Sequence, residues 1–176
     1  MLSGTVTSVF GKDINTDDII PAYQLLKSDE PEYFGRYAFE KYDPEFRTRC
    51  AGQANMVVAG KNFGCGSSRE QAVYALQYNG VVCVIAESFP DIFYRNSLAN
   101  GLPLVTVADP AGLKPGDHVE VDLEKGQIHN RTRNISMAFQ MSAEDRRTFL
   151  AGGMTARVRA HLAELLASGQ SRKRAG

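Results

Sequence analysis

The sequence predicts a single α/β domain, and three features of its 176 residues point there. The length suits one core of moderate size. Between residues 55 and 107, short apolar or β-branched runs alternate with segments of helical period, the order expected of a parallel sheet crossed by helices. Beyond Pro110 the period changes: Val119, Val121 and Leu123 alternate with charges, and Glu124-Lys125-Gly126 turns the chain back over residues 127–132. That is a hairpin added to the same domain.

Taken in order, residues 6–10 read as an opening strand, and residues 12–22 as a structured loop rich in Asn, Thr and Asp. Over residues 32–46, Tyr33, Phe34, Tyr37, Phe39 and Tyr42 mix with charges without strict alternation, which predicts short helices between Pro31 and Pro44. Residues 55–60 form a strand, Gly64-Cys65-Gly66 a tight loop, and residues 67–78 a helix that turns Ala72, Val73, Ala75 and Leu76 inward. Ser67 and Glu70 have the spacing of a capping box, which sets the helix start at 67, and Asn79-Gly80 closes it. A strand at 81–86, a helix at 91–100 ended by Gly101, and a strand at 102–107 complete the alternating part. Two helices follow at 143–151, after Ser142, and 156–167, after Thr155; Gly152-Gly153 separates them. Val158, Leu162, Leu165 and Leu166 give the second an apolar stripe.

Hydrophobic residues make up 43% and charged residues 23%, with twenty cations balancing twenty anions. Such usage excludes a disordered or collagen-like chain. A zero net charge argues against wrapping nucleic acid or binding an anionic membrane, so any anion site is local. The N-terminus lacks the charged and apolar regions of a signal peptide, and no run of 18 apolar residues occurs, so the expected location is cytoplasmic. Cys50, Cys65 and Cys83 are odd in number and show no CxxC spacing. No disulfide framework or self-contained metal cluster is expected.

The stretch from Gly60 to Glu70 carries the most chemistry: a strand ends, three glycines follow, and a helix begins at Ser67-Ser68-Arg69. Free N–H groups and the helix dipole favour an anion there, and Arg69 adds a bidentate donor for carboxylate. Neither GxGxxG nor the P-loop nor GxSxG fits these residues. From spacing alone, an anion site and a merely well-capped helix both remain open. For Asn15-Thr16-Asp17-Asp18 the two readings are a cation or acid–base site and a turn with an Asx cap. His118, His129 and His161 have no partner spacing, and Cys65 has no identifiable base, so steric fit explains it.

Three motifs stand in order along the chain. They are Asp13-Ile14-Asn15-Thr16-Asp17-Asp18-Ile19-Ile20-Pro21-Ala22, residues 60–72, and Ser88-Phe89-Pro90-Asp91-Ile92-Phe93-Tyr94-Arg95-Asn96 followed by Gly101-Leu102-Pro103. Together they resemble the small-subunit family of 3-isopropylmalate dehydratase over residues 4–165. Asp43-Pro44-Glu45-Phe46 and the hairpin after Gly116 resemble the branch that also holds homoaconitase small subunits.

The resemblance implies an aconitase-type swivelling β/β/α domain over residues 1–167, with a central mostly parallel sheet or barrel and flanking helices. Residues 168–176, which include Arg172-Lys173-Arg174, are then a flexible tail. It implies a hydro-lyase that interconverts 2-isopropylmalate and 3-isopropylmalate in leucine synthesis. The partner is a large subunit that carries a [4Fe-4S] cluster, while this chain binds none. By motif position, Ser67 is the base that takes the carbon-bound proton, Arg69 binds substrate carboxylate, and Ser68 donates to substrate. Asp17, Gly66 and Leu26 complete the substrate-binding set. After Pro21-Ala22 the usual family text is Arg-Tyr-Leu, whereas here it is Tyr23-Gln24-Leu25-Leu26, so the loop that reads the substrate's variable group departs from the pattern. Leu26 stands where the homoaconitase branch has Arg, and Lys27 follows it. Other hydro-lyases of the superfamily, acting on homoaconitate, citraconate or dimethylmalate, and a non-catalytic anion-binding domain are the competing readings.

Overall fold

The computed structural model describes residues 1–174. Seven strands form one sheet: β1 (Leu2–Phe10), β2 (Asn55–Ala59), β3 (Val81–Ala86), β4 (Leu104–Thr106), β5 (His118–Asp122), β6 (Gln127–Asn130) and β7 (Ile135–Ala138). Their spatial order is β4-β3-β2-β1-β5-β6-β7. From β1 to β4 the pairings are parallel; from β1 through β5 and β6 to β7 they are antiparallel. The sheet is thus mixed in equal parts, and its parallel half is the strand-helix-strand run that the sequence predicts.

Central position explains the composition of β2. All five of its residues are buried, and they alternate between the two faces. Val57 and Ala59 join a cluster with Ile14, Phe39, Phe63, Leu76 and Phe93, while Met56 and Val58 join one with Val6, Ile85, Val119 and Ile128. The second cluster draws on both halves of the sheet, which curls around it. Each of the larger side chains contributes about 1.5–3 kcal/mol through burial, so the parallel core is the firm base from which the loops extend.

Short helices α1 (Thr16–Ile19), α2 (Pro31–Gly35) and α3 (Phe46–Cys50) lie between β1 and β2, with a 3-10 turn at Ala22–Gln24. Helix α4 (Glu70–Gln77) joins β2 to β3, and α5 (Asp91–Asn100) joins β3 to β4. Helices α6 (Ala143–Leu150) and α7 (Met154–Arg174) end the chain. Ser142 caps α6 by accepting from the Asp145 N–H at 3.0 Å.

Three features differ from the sequence reading. The capping box expected at Ser67–Glu70 is absent: α4 starts at Glu70, and Arg69, with extended backbone, is its N-cap without a side-chain hydrogen bond. A capping box forms instead on α1, where Asn15 accepts from the Asp18 N–H and the Asp18 carboxylate accepts from the Asn15 N–H. The hairpin also gains a third strand, β7, which lies on the sheet edge. Finally, the stripe of α7 stays exposed, with Val158 and Leu162 about half accessible, and neither core cluster includes it. The domain boundary expected at residue 168 falls within α7, and the last two residues of the expected tail lie outside the described residues.

Candidate active site

Three loops leave the carboxyl ends of β1, β2 and β3, the edge at which parallel sheets present ligand sites. They are stitched together by backbone hydrogen bonds. The Asp13 N–H donates to the Lys61 carbonyl at 2.8 Å, Gly64 to Ile14 at 2.7 Å, and Thr16 to Cys65 at 2.8 Å. Phe63 donates to the Ser88 carbonyl at 3.1 Å, and the Ser88 hydroxyl accepts from the Asn62 N–H at 2.8 Å. The three sequence motifs, dispersed over some ninety residues, therefore meet at one edge.

Glycine permits this closeness. Gly64 has a left-handed backbone, and a Cβ on it would stand 2.3 Å from the Phe93 ring. The loop thus rests directly on α5. Gly66 is also left-handed, which turns the chain so that the Thr16 hydroxyl donates to the Ser67 carbonyl at 3.0 Å.

Ser67 and Ser68 are exposed, three and two residues ahead of the first helical residue of α4. The Ser67 hydroxyl has no hydrogen-bond partner among the described residues. Ser68 accepts from Asn96 Nδ2 at 3.5 Å, and the Glu70 carboxylate accepts from Asn100 Nδ2 at 2.8 Å. Asn96 and Asn100 are one helical turn apart on α5, so a single face of that helix steadies both ends of the Ser68–Glu70 segment. The sequence showed Asn96 within a motif but gave no sign of this contact.

Arg69 explains why the expected cap fails. Its guanidinium reaches away from α4 to grip both Asp17 oxygens, at 2.5 and 2.9 Å, and the Ile20 carbonyl at 3.2 Å. The Arg69 side chain is 10% exposed, that of Asp17 55%. The backbone of Arg69 is drawn into an extended state that a helix beginning at 67 cannot contain. Hydrogen bonding by Arg69 holds the Asp17 carboxyl below the usual aspartate range, with the Ala22 N–H at 3.1 Å adding to the effect. Three of the five guanidinium N–H donors are engaged, which leaves two for a ligand.

Asp18 is occupied in capping α1, and among the described residues no three His, Cys, Asp or Glu side chains assemble into a metal-binding group. Asn15–Asp18 is therefore the capped turn, with Asp17 turned outward to Arg69. Cys50 and Cys83 are buried, and burial pushes the Cys65 thiol up, away from thiolate reactivity. Among the described residues, the three free cysteines are not grouped as ligands for an iron–sulfur cluster. His118 and His129 pair with Ser3 and Ser136 on the antiparallel half of the sheet, away from these loops. Leu26 follows the Ala22–Gln24 turn and is 92% exposed. It belongs to neither core cluster.

A network that the sequence reading did not anticipate underlies that turn. The Tyr23 hydroxyl donates to the Glu40 carboxylate, which also accepts from Gln24 Nε2 at 2.8 Å, and Gln24 Oε1 accepts from the Tyr33 hydroxyl at 2.8 Å. Gln24 is buried, a polar side chain with both ends satisfied.

Residues 1–109 match the family model of the aconitase C-terminal domain. The chain is 44% identical over 154 residues to 3-isopropylmalate dehydratase small subunit 2 of Archaeoglobus fulgidus, covering 86% of this chain and 92% of the relative. It is 51% identical over 119 residues to small subunit 2 of the same name from Methanopyrus kandleri, covering 66% and 70% of the two chains. The fold superposes on the crystal structure of 3-isopropylmalate dehydratase from Methanocaldococcus jannaschii with a TM-score of 0.83 and 35% identity, over 96% of this chain and 98% of that one. The chain belongs to the 3-isopropylmalate dehydratase small-subunit family, built on the aconitase C-terminal domain.

Proposed function

We propose that this chain is the small subunit of a hydro-lyase that interconverts 2-isopropylmalate and 3-isopropylmalate by dehydration and rehydration, in leucine synthesis in the cytoplasm. The observation that carries the reading is the exposed Ser67-Ser68 pair beside Arg69, whose largely buried guanidinium is fixed by Asp17 at the carboxyl edge of the parallel strands. An open, half-built site of this kind suits a partner surface that closes over it. The reading assigns the closing surface, and the [4Fe-4S] cluster, to a large subunit.

In this account each residue of the chain has a separate task. Asp17 positions Arg69, whose two remaining donors take one substrate carboxylate. The Ser67 oxygen removes the carbon-bound proton as the carbon–oxygen bond to the hydroxyl breaks, so that proton and hydroxide together are lost as one water and the unsaturated acid remains. Addition of water in the opposite sense, with the proton on the carbon that carried the hydroxyl and the hydroxyl on the carbon that carried the proton, completes the isomerisation. A serine base demands a depressed pKa, and exclusion of water beside a guanidinium and a helix N-terminus supplies the field for it. Ser68 and the Gly66 backbone orient the bound acid. Leu26, exposed in the single chain, offers an alkyl surface to the isopropyl group.

The test is reconstitution. The purified chain alone is expected to be colourless and inactive, and addition of a cluster-loaded large subunit should start interconversion of the two isopropylmalates, followed through the unsaturated intermediate by its ultraviolet absorbance. A folded, assembled complex with no activity on either acid would overturn the reading.

A further inference from the structure

Beside the Asp17–Arg69 pair lies a depression of about 420 Å³, lined by Asp17, Asp18, Pro21, Ala22, Tyr23, Lys41 and Tyr42. Its charged groups are unequally satisfied. The Asp17 carboxylate is held by Arg69, that of Asp18 by the Asn15 N–H, and that of Glu40, behind the turn, by Tyr23 and Gln24. The cations differ. Lys41 Nζ lies 4.5 Å from the Tyr23 ring centroid and Lys27 Nζ lies 5.0 Å from it, and neither forms a salt bridge among the described residues.

One ring thus gathers two ammonium groups. The Tyr23 phenol donates to a carboxylate, which enriches the ring in electron density and strengthens its attraction for cations. Each ammonium carries three N–H donors, more than the face of one ring can satisfy. Two like charges drawn to one ring also repel each other, and an incoming anion relieves that repulsion. The Arg69 hydrogen bond is the main cause of the low Asp17 pKa, but the charge of Lys41 contributes, as proximity to the site requires.

We infer that Lys41, seated on Tyr23, is a substrate-binding residue that takes the second carboxylate of the hydroxy acid, the first being bound by Arg69. The inference rests on the hydro-lyase reading and adds to it the group that distinguishes a dicarboxylate from a monocarboxylate. Lys41 lines the depression and Lys27 does not, so Lys27 adds field while Lys41 makes the contact. The Glu40–Gln24–Tyr33 network holds Tyr23, and thereby Lys41, in place.

The experiment uses the assembled complex and the variants Lys41→Met, Lys41→Arg and Lys27→Met. Loss of one charge-assisted contact should raise KM for 2-isopropylmalate about tenfold to hundredfold in Lys41→Met, with kcat within about twofold of the wild type. Lys41→Arg should recover most of the loss, and Lys27→Met should show a smaller rise. In parallel, Lys41 acylation by an amine reagent is read by peptide mass spectrometry, with Lys125 as the internal control. Succinate, a plain dicarboxylate, and 2-isopropylmalate should each protect Lys41 and leave Lys125 unprotected. An active complex whose KM is unchanged by Lys41→Met overturns the inference and leaves the reaction standing. A wild-type complex inactive on 2-isopropylmalate refutes the reaction instead, and succinate protection of Lys41 then decides the subsite by itself: protection supports it and its absence overturns it.

Discussion

Replacing Gly64 with alanine puts a methyl carbon 2.3 Å from Cγ of Phe93 and 2.6 Å from both of its Cδ atoms. The ring cannot step aside freely. It is 1% exposed, meets Phe63 edge-on at 5.7 Å between centroids, and stacks on Phe89 at 6.5 Å. Two costs follow: a non-glycine residue in the left-handed region loses about 1–2 kcal/mol, and overpacking a filled core loses about 1–3 kcal/mol. Gly64→Ala should therefore destabilise the chain by about 2–5 kcal/mol in urea unfolding at constant m. Gly66→Ala separates the two costs. Its backbone is equally left-handed, but the nearest atom, Thr16 Oγ1, lies at an ordinary 3.5 Å, so only the first cost of about 1–2 kcal/mol applies. Gly11→Ala, with nothing within 4 Å, is the control and should change stability by less than about 0.5 kcal/mol. Equal losses for Gly64→Ala and Gly66→Ala would refute the argument that the site loop rests on the Phe93 ring.

Asn55→Ala should cost about 2–4 kcal/mol, because the fully buried Asn55 amide serves the Cys50, Gln53 and Asn79 carbonyls; loss within experimental error would show that water replaces it. Asn15→Ala removes the capping oxygen of α1 and should cost about 1 kcal/mol, with hydrogen exchange quickening first at the Asp18 N–H; unchanged exchange there would contradict the cap. The Asp17 carboxyl, followed by carbon-13 NMR, should titrate below the usual aspartate value of about 3.9, and Arg69→Gln should return it toward that value. Because its folded pKa is depressed, the pair's stabilisation is present above the unfolded-state value and disappears as pH falls through the folded one. With Asp17 more than half exposed that stabilisation is small, and an unshifted midpoint would remove the pair from solution.

The parallel half of the fold was legible because its central strands, β2 and β3, are buried on both sides. Runs such as Val81 to Ala86 have no other use for six consecutive apolar residues, five of them buried, and Gly101 ends α5 in a left-handed cap at the expected place. Strand β7 was not legible: Ile135–Ala138 is partly buried on one face, exposed on the other, and owes its pairing to β6. The start of α4 shows where a local rule yields to a distant partner. Ser67 and Glu70 have capping-box spacing, yet Arg69 is pulled toward Asp17, 52 residues away in sequence. No local pattern records such a pair. The site motifs themselves were legible as motifs, and their meeting follows from three loops on one sheet edge. Lys41 and the Tyr23–Glu40 network were hidden in an aromatic stretch that read as packing, because only folding brings residues 40 and 41 back to the turn at 22–24.

The central claim is that Ser67 performs the proton transfer from a chain whose structure it does not support. Ser67 does not cap α4, so Ser67→Ala should leave unfolding free energy within about 0.5 kcal/mol of wild type. The decisive measurement is kcat for 2-isopropylmalate in the complex of this variant with the large subunit, assembly being verified by size. The account predicts a fall of about 10²–10⁴-fold with little change in KM. Wild-type kcat from the folded, assembled Ser67→Ala complex would contradict it.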